Sequence, residues 1–458
     1  MEKKITILGA GLVGSLLSIL LQKRGYQVTI LERRSDMRKA NMSAGRSINL
    51  AMSVRGWAAL EMAGLKKDIE EIAIPMYGRQ IHNLDGTTVF QAYGKNNEAI
   101  YSVSRGDLNK KLISLAEANG VSIQFNQRVE DVELDTQVLK IEDAQTLVKS
   151  EYQDHEMIIA ADGAFSALRN AYVKKDRFNY NQFYIEHGYK ELFIPAGENN
   201  SFLIEEKALH IWPRKNFMLI ALPNFDGSFT CTLFFPFEGN PSFSAIKTEA
   251  DAKQFFETQF PDALELMPTF AEDYFKNPTS SLVTVKCFPW IYEDKSFLIG
   301  DAAHAIVPFY GQGMNAGFED CRILMEIMDA SSSKSWKEIL PIYQQARKKN
   351  GDAVADLALQ NFIEMRDLVA DPLFLTRKKI EKQLGLLYPT QFNSVYEMVS
   401  FSNTSYHFAI SCQKAQDKLL QKIMAEGDFE TNVNLPAFKS SLDNWIVEYV
   451  SEVSLLQD

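Results

Sequence analysis

The N-terminal part of the chain has the order of apolar runs and helical spacing that is typical of a βαβ unit. A short apolar run from Lys4 to Gly9 predicts a strand that ends in glycines. Residues Leu12 to Arg24 repeat apolar positions with the helical period, and Gly25 follows them as a stop signal. A second apolar run, Gln27 to Glu32, predicts another strand. We therefore expect these two strands to be parallel.

The pattern of apolar and polar positions changes further along the chain. Strand-like runs flank Asp85-Gly86, a pair that strongly favours a hairpin turn. From Phe178 to Pro289 apolar and polar residues alternate, with many aromatics, which predicts antiparallel sheet. The run Phe297 to Asp301 predicts a strand before a glycine-rich loop, and beyond Met314 the chain is predicted to be almost wholly helical.

Composition and charge narrow the possible classes of protein. The chain has 458 residues, of which 46% are hydrophobic and 23% charged, as expected of a globular protein. A net charge of -11 argues against nucleic acid or an anionic membrane as a partner. Four scattered cysteines and six histidines lack the spacing of a disulfide framework or a metal site. With no secretory pattern and no bilayer-spanning apolar run, we expect a cytoplasmic protein, monomeric or dimeric, without a metal.

The first motif is a glycine-rich turn between the first strand and the first helix. Gly9, Gly11 and Gly14, with Leu12 and Val13 between them, have the spacing that lets a pyrophosphate approach the helix N-terminus. Glu32 ends the second strand, where an acidic residue accepts hydrogen bonds from an adenosine ribose. The motif predicts a dinucleotide site but does not choose between NAD and FAD.

The second motif favours FAD. Asp301 follows a strand and can bond a ribityl hydroxyl, and the glycines of the loop after it permit close approach to an isoalloxazine ring. The helix that starts near Gly313 would direct its positive end at that ring and stabilise the negative charge of reduced flavin. An acidic strand end before an ordinary flexible loop is the alternative interpretation.

The third motif is a second Asp-Gly pair after a strand, Asp162-Gly163, followed by Arg169. It resembles the middle motif of aromatic-hydroxylase flavoproteins, which is linked to both FAD and NADPH. A role of Asp162 as a helix N-cap alone is the alternative. The chain has no second GxGxxG turn, so NADPH is expected to bind transiently as a co-substrate.

In this order the three motifs resemble the para-hydroxybenzoate-hydroxylase-like class of flavin monooxygenases. Four further stretches are similar to the kynurenine 3-monooxygenase family within that class, and the resemblance runs over nearly the whole chain. They are Arg46 to Ala51 (RSINLA), Ser102 to Arg105 (SVSR), Pro308 to Asn315 (PFYGQGMN) and Asn361 to Arg366 (NFIEMR). The family's eukaryotic members carry a hydrophobic anchoring tail, whereas this chain closes with NWIVEYVSEVSLLQD, so no membrane anchor is expected.

The resemblance implies a reaction and a set of site residues. It implies that FAD, NADPH and O2 convert L-kynurenine to 3-hydroxy-L-kynurenine through a flavin hydroperoxide. The implied substrate-binding residues are Arg79, Tyr93, Asn361, Glu364 and Tyr396. The implied cofactor-binding residues are Gly9, Gly11, Leu12, Val13, Gly14, Glu32, Arg33, Ala51, Arg105, Asp162, Asp301, Gly313, Met314 and Asn315. The candidate catalytic loop comprises Pro308, Phe309, Tyr310, Gly311 and Gln312.

Two other functions are compatible with the same residues. A hydroxylase of another small aromatic acid, such as a hydroxybenzoate, would also use an arginine for its carboxylate. A non-catalytic FAD-binding redox sensor would need no close backbone approach to the ring, which the Pro308 to Asn315 loop provides. A single histidine in that region, His304, is expected to be structural rather than catalytic.

Local geometry sets conditions on the predicted substrate residues. A three-residue loop at Asp85-Gly86 would place Arg79 opposite Tyr93 on one face of the hairpin, whereas a two-residue loop would separate their faces. Asn361 and Glu364 lie three apart in a helical stretch and are expected to share a face.

The predicted fold class is α/β, with a Rossmann-like FAD-binding domain, an inserted antiparallel β-sheet substrate domain and C-terminal helices. The FAD-binding domain is predicted to be discontinuous, in residues 1–75, 97–177 and 290–350. A substrate-domain hairpin is predicted at 76–96, the β-sheet substrate domain at 178–289 and the helical region at 351–458.

Overall fold

The computed structural model describes residues 3–39, 48–95, 97–333, 335–368 and 371–456. The strands are β1 (Lys4–Leu8), β2 (Gln27–Leu31), β3 (Asn49–Met52), β4 (Ile74–Met76), β5 (Gly78–His82), β6 (Thr88–Ala92), β7 (Ile100–Ser104), β8 (Ser122–Gln124), β9 (Gln127–Glu133), β10 (Val138–Asp143), β11 (Lys149–Tyr152), β12 (Met157–Ala160), β13 (Asn179–Ile194), β14 (Ala208–Pro213), β15 (Met218–Pro223), β16 (Phe229–Pro236), β17 (Ser280–Phe288), β18 (Ile291–Tyr292) and β19 (Ser296–Leu298).

The helices are α1 (Leu12–Gln22), α2 (Val54–Met62), α3 (Lys66–Glu70), α4 (Arg105–Ala118), α5 (Ala167–Val173), α6 (Glu249–Gln259), α7 (Pro261–Leu264), α8 (Phe270–Lys276), α9 (Asp301–His304), α10 (Gly313–Ala330), α11 (Trp336–Ile363), α12 (Pro372–Leu387), α13 (Val395–Ser400), α14 (Tyr406–Ala425), α15 (Phe429–Asn432) and α16 (Pro436–Ser454). Short 3-10 turns lie at Glu198–Asn200 and Pro308–Tyr310, and a π-helical turn at Glu364–Leu368.

A six-stranded sheet with the order β18-β19-β12-β1-β2-β8 forms the nucleotide-binding part of the fold. Its strands are parallel except for β18, which runs antiparallel to β19. The predicted βαβ unit is confirmed, because β1 and β2 pair in parallel with Ile5 opposite Val28. The central strands β1 and β12 are almost fully buried on both faces, as their near-continuous apolar runs require.

A seven-stranded sheet with the order β17-β13-β16-β15-β14-β5-β6 lies beside it. Every pair is antiparallel except β14 with β5, which are parallel. The parallel pair arises because the hairpin β5–β6 comes from a distant part of the chain and joins the sheet at its edge. The alternation between Phe178 and Pro289 thus predicted most of the sheet correctly, but not this pairing.

Helices α6 to α8 interrupt the region that was predicted as sheet, so that prediction is wrong for residues 249–276. Thr248 and Asp251 form a capping box at the start of α6, a local signal that the aromatic content of the region obscured. Phe256 is fully buried in a cluster of aromatic side chains beneath the sheet. The helices cover one face of the seven-stranded sheet. The opposite face is turned toward the strand ends of the six-stranded sheet.

The region after Met314 is helical as predicted, from α10 to α16. Within the described ranges, none of these or the other helices combines the length and apolar character needed to cross a bilayer.

Candidate active site

A cavity of about 790 Å³ lies between the strand ends of the six-stranded sheet and one face of the seven-stranded sheet. Two ends can be distinguished by their residues. The flavin end comprises the turn at 9–13, Glu32, Asp162, Asp301 and the loop at 308–314. The arginine end comprises Arg79, Tyr93, Asn361 and Tyr396.

Two glycines of the turn at the flavin end, Gly9 and Gly14, have no room for a side chain. Gly9 has φ +96°, and a Cβ there would lie 2.9 Å from the Ala161 carbonyl oxygen. A Cβ on Gly14 would collide with the Gly9 carbonyl oxygen, so this glycine lets α1 pack against the turn. A Cβ on Gly11 would meet no protein atom, because Gly11 faces the cavity together with Leu12 and Val13. The turn is therefore shaped for close approach of a ligand to the backbone.

Glu32 is buried at the end of β2 and lines the cavity. One carboxylate oxygen accepts a hydrogen bond from the Ala10 amide at 2.8 Å, and the other accepts from the Arg34 amide and guanidinium at 3.0 and 2.9 Å. Burial acts to raise the pKa of Glu32, but the Arg34 contacts outweigh it and hold that pKa below its usual value. The carboxylate stays charged and can accept bonds from a ribose. Arg33 lines the cavity beside it.

Asp301 begins α9 after Gly300 and opens into the cavity. The side chain of Asp301 is exposed to the cavity, but desolvation by the protein around it raises its pKa, while Arg105 and His304 act to lower that pKa. Arg105 begins α4 and also lines the cavity. The position of Asp301 after a strand is as the second motif predicts.

The loop that leads to α10 lines the cavity with Pro308, Phe309, Tyr310, Gly311, Gly313 and Met314. Asn315 lies behind it rather than in the lining. Its Nδ2 donates to the carbonyl oxygens of Ala51 and Gly311, both at 2.8 Å, and its Oδ1 accepts from the Ser53 amide at 2.9 Å. Gln312 also lies behind the loop, where its Oε1 accepts from the Tyr406 hydroxyl at 2.9 Å. These two side chains hold the loop; they do not face the cavity.

Asp162 lines the cavity at the start of α5, whose N-cap is Ser166 rather than Asp162, and its role toward FAD stays a prediction. The Oδ2 of Asp162 accepts a hydrogen bond from the Ala167 amide at 2.7 Å. Its Oδ1 is buried and has no hydrogen-bond partner within the described part of the chain, and burial raises the pKa of this carboxyl.

The residues at the flavin end fit FAD. The turn at Gly9 to Val13 offers a cradle that a Cβ would fill, followed by a helix N-terminus that suits a pyrophosphate. Glu32 supplies an acceptor for a ribose, and the buried Oδ1 of Asp162 has no donor among the described residues. The N-terminus of α10 at Gly313 opens onto the cavity beyond them.

The arginine end is built around Arg79 and the rings of Tyr93 and Tyr396. Arg79 lies on β5, with its Cζ 5.6 Å from the ring centroid of Tyr93 and 4.8 Å from that of Tyr396. The rings of Tyr93 and Tyr396 are 5.8 Å apart, and Tyr310 stacks on Tyr396 at 5.7 Å. Arg79 Nε and the Tyr93 hydroxyl are buried, and neither has a hydrogen-bond partner among the residues that the structure describes. Among the described residues no carboxylate pairs with Arg79, so its charge faces the cavity uncompensated.

The hairpin register differs from the predicted one. Arg79 lies opposite Gln91, and the Tyr93 amide donates to the Tyr77 carbonyl oxygen at 2.8 Å, so Arg79 and Tyr93 are diagonal rather than opposite. The loop has three residues as expected, but it closes one position earlier, where the Asn83 amide donates to the Thr87 carbonyl oxygen at 2.9 Å. The predicted shared face is kept because the shift moves the pairing by an even number of residues.

Comparison with known proteins agrees with this geometry. A family model described as "FAD binding domain" matches residues 2–187 and 283–358. A kynurenine 3-monooxygenase of Christiangramia forsetii is 49% identical over 423 residues, which cover 92% of this chain and 94% of the relative. Another, of Dictyostelium discoideum, is 46% identical over 444 residues and covers 93% and 94%.

The chain belongs to the kynurenine 3-monooxygenase family. It is therefore an FAD-dependent monooxygenase, as its motifs predict. The tetrameric form of 2-methyl-3-hydroxypyridine-5-carboxylic acid oxygenase superposes with a TM-score of 0.64 at 19% identity, covering 82% of this chain and 95% of that one. At that identity it shows the fold alone, which is the predicted combination of an FAD-binding domain, a substrate sheet and C-terminal helices.

Not every residue that the family resemblance implies reaches the cavity. Asn361 lines it and donates from Nδ2 to the Phe309 carbonyl oxygen at 2.6 Å. Glu364 is not among the lining residues, and its carboxylate lies 3.8 Å from Lys378 Nζ. The α-helix ends at Ile363 and a wider π-helical turn begins at Glu364, so the two residues do not share a cavity-facing side as expected. A contact of Glu364 with substrate stays a prediction.

His304 is buried away from the cavity, in agreement with a structural role. Its Nε2 lies 2.5 Å from Asp320 Oδ2, and its ring stacks on Trp290 at 5.1 Å. Arg46 and Ser47, the first residues of the RSINLA stretch, lie outside the described residues. Ala51 of the same stretch lines the cavity.

The mainly apolar floor of the cavity was not predicted from the sequence. It is formed by side chains of β14, β15 and β16 that face one side of the sheet, namely Leu209, Met218, Ile220, Leu222, Thr232 and Phe234. Their spacing of two along β15 and β16 was the available signal, but it marks a sheet face without telling which face borders the cavity.

Proposed function

We propose that this member of the family hydroxylates L-kynurenine to 3-hydroxy-L-kynurenine, with NADPH and O2 as co-substrates. The observation that carries the proposal is Arg79, which has no carboxylate partner among the described residues, beside the Tyr93 hydroxyl and next to the mainly apolar floor that β14, β15 and β16 give the cavity. A substrate with a carboxylate at one end and an aromatic ring at the other matches this polarity.

Arg79 would bind the amino-acid carboxylate. Its planar guanidinium can donate two parallel hydrogen bonds, and the stacked rings of Tyr93 and Tyr396 limit its positions. Burial raises the pKa of the Tyr93 hydroxyl well above its usual value, so Tyr93 holds its proton and can donate it in a hydrogen bond to the same carboxylate. Asn361, next to them, keeps the Phe309 backbone in place.

The aromatic ring of the substrate would then lie on the apolar floor between Ile220 and Phe234, against the loop at 308–311. These side chains exclude water from the reacting carbon, which favours oxygen transfer over release of peroxide. Bound FAD, once reduced by NADPH, supplies the activation of O2. The amino group of kynurenine enriches the neighbouring ring carbon in electrons, so that carbon is the expected site of attack.

NADPH consumption by the purified holoenzyme tests the proposal, with 3-hydroxykynurenine and peroxide quantified in the same samples. We expect L-kynurenine to stimulate NADPH oxidation and to yield hydroxylated product. Stimulation that gives only peroxide would show that kynurenine imitates another aromatic acid. Turnover of a hydroxybenzoate without turnover of kynurenine would overturn the proposal.

A further inference from the structure

The short helix α13 carries Tyr396 and depends on neighbouring elements for its position. It has six residues, too few for stability in isolation. Its N-terminus is closed by a capping box between Ser394 and Glu397. Lys95, two residues beyond Tyr93 in the chain, lies 3.4 Å from the Glu397 carboxylate and donates to the Phe392 carbonyl oxygen at 3.2 Å. The substrate hairpin thus holds one end of α13.

The other end of α13 is held by Arg55 from α2 of the FAD-binding part. Arg55 Nε donates to the Val399 carbonyl oxygen at 3.0 Å, and Nη2 donates to that of Met398 at 3.2 Å. Nη2 also donates to the Thr404 carbonyl oxygen in the segment after the helix. The side chain is completely buried. A cation at the carboxyl end of a helix satisfies carbonyl groups that have no partner within the helix.

The same guanidinium is joined to the flavin end of the cavity. Arg55 Nη1 lies 2.5 Å from Glu319 Oε1 on α10, the helix that begins at the flavin loop. Its Cζ lies 4.0 Å from the ring centroid of Tyr406, whose hydroxyl donates to Gln312 in that loop. Glu319 continues the connection to Arg347 at 2.8 Å. Arg55 therefore contacts both the helix of Tyr396 and the helix that leads from the flavin loop.

We propose that Arg55 is a positioning residue that sets Tyr396 against Arg79 from the flavin side, so that the arginine end is complete only when α10 and α13 are held together. For the substrate carboxylate, this rests on the proposed function. Arginine is suited to the task because one fork of donors serves a carboxylate and three carbonyl oxygens at once. A lysine has a single ammonium and cannot serve both sides.

The conservative variant Arg55→Lys separates charge from geometry, because it keeps a cation for buried Glu319 and loses the fork to α13. The matched control is Arg214→Lys. Arg214 is also buried, and donates to the carbonyl oxygens of Gln259, His82 and Pro213 in the substrate sheet, away from α13. Both variants lose carbonyl contacts of a buried arginine, so a general loss of stability affects them alike.

Amide hydrogen exchange of the substrate-free holoenzyme is the first measurement. In Arg55→Lys we expect the peptide that covers 395–400 to exchange about tenfold faster, with exchange of 313–330 nearly unchanged. In Arg214→Lys the 395–400 peptide should keep its wild-type rate. Equal acceleration in both variants, or none at 395–400 in Arg55→Lys, would overturn the proposal.

Ligand titrations of the flavin absorbance provide the second measurement. We expect the Kd of L-kynurenine to rise about tenfold in Arg55→Lys, with the FAD Kd of the apoprotein changed by less than about twofold. An unchanged kynurenine Kd would reduce Arg55 to a structural role. Failure of the wild-type protein to bind L-kynurenine would instead count against the proposed function, and the exchange measurement would still decide the role of Arg55.

If Arg55→Lys does not fold, Tyr406→Phe provides the same comparison. It removes the hydroxyl contact with Gln312 and leaves the ring that packs on Arg55. A smaller acceleration confined to 395–400 is expected, whereas a wild-type rate there would contradict the connection between the loop and α13.

Discussion

The flavin end and the arginine end of the cavity are built from different chemical groups. At the flavin end the decisive groups are backbone amides and tight turns at the ends of parallel strands, such as Gly9 to Val13 after β1. At the arginine end they are side chains from β5, the residue after β6, α11 and α13. A site that binds through backbone amides tolerates little change in the shape of the chain, whereas the affinity of a site that binds through side chains depends on single functional groups. Mutations should therefore act differently at the two ends.

The largest effect is expected from Gly14→Ala. The added Cβ collides with the Gly9 carbonyl oxygen, so the turn must open and α1 must shift. We expect the FAD Kd to rise about a hundredfold, or about 2.7 kcal/mol, together with a lower Tm. The absorbance of bound flavin and a thermal melt measure both quantities.

Gly11→Ala is the matched variant at the same turn, since its Cβ meets no protein atom and projects into the cavity. It should weaken FAD binding with little change in Tm. Wild-type FAD affinity in Gly11→Ala would show that the ligand does not approach this turn.

The next largest effect is expected from Arg79→Met, which removes the cation of the arginine end. Loss of charge-assisted hydrogen bonds worth about 2 kcal/mol should raise the KM for L-kynurenine about thirtyfold and leave FAD binding unchanged. Steady-state kinetics measure the KM for L-kynurenine, and a flavin titration measures FAD binding separately. Arg24→Met is a suitable control, because Arg24 pairs with Asp329 away from the cavity. If Arg79→Met weakened FAD binding as much as it raised the KM for L-kynurenine, the two ends of the cavity would not act separately.

The variant Asp162→Asn tests whether a carboxyl at the flavin end contributes to the pH dependence of folding stability. Burial raises the pKa of Asp162 in the folded protein, so its proton is bound more tightly in the folded than in the unfolded chain. The apoprotein should lose stability from this group as pH rises above the unfolded value of about 3.9 and through the folded pKa. Urea unfolding at several pH values should show this loss in wild type and not in Asp162→Asn. A wild-type pH profile in the variant would contradict the assignment.

The smallest effect is expected from Glu364→Gln. Glu364 is outside the cavity lining and close to Lys378, so removing its charge should alter the KM for L-kynurenine by less than about twofold. Kinetics under the same conditions as for Arg79→Met give the comparison. An increase as large as that for Arg79→Met would mean that the π-helical turn rearranges to bring Glu364 to the substrate.

Much of the flavin end was predictable because its determinants are local in sequence. Gly9, Gly11 and Gly14 act within one turn, and Asp162 and Asp301 each follow a strand that ends at the same edge of the sheet. The roles of Asn315 and Gln312 were not predictable to the same degree. Their side chains hold the loop from behind, and only the packing of α2 and α14 shows which groups they contact.

The arginine end was predicted from family resemblance rather than from local pattern. Arg79 and Tyr93 share a face of the hairpin, as the alternation of side chains along its strands predicts. The register of the two strands depends in addition on where the loop closes. Tyr396 lies far along the chain from both, and no periodicity connects them. Glu364 shows the limit of helical spacing, since a change to π-helix alters the direction of a side chain within one turn.

The sequence by itself determined the cofactor class, the βαβ unit, the alternation of the substrate sheet and the helical C-terminal region. It could do so because glycine spacing and hydrophobic period act over a few neighbouring residues. Only the tertiary structure decided which sheet face borders the cavity, which implied residues reach it, and how Arg55 connects α10 with α13. These features depend on contacts between residues far apart in the chain, whose geometry is set by the packing of whole elements.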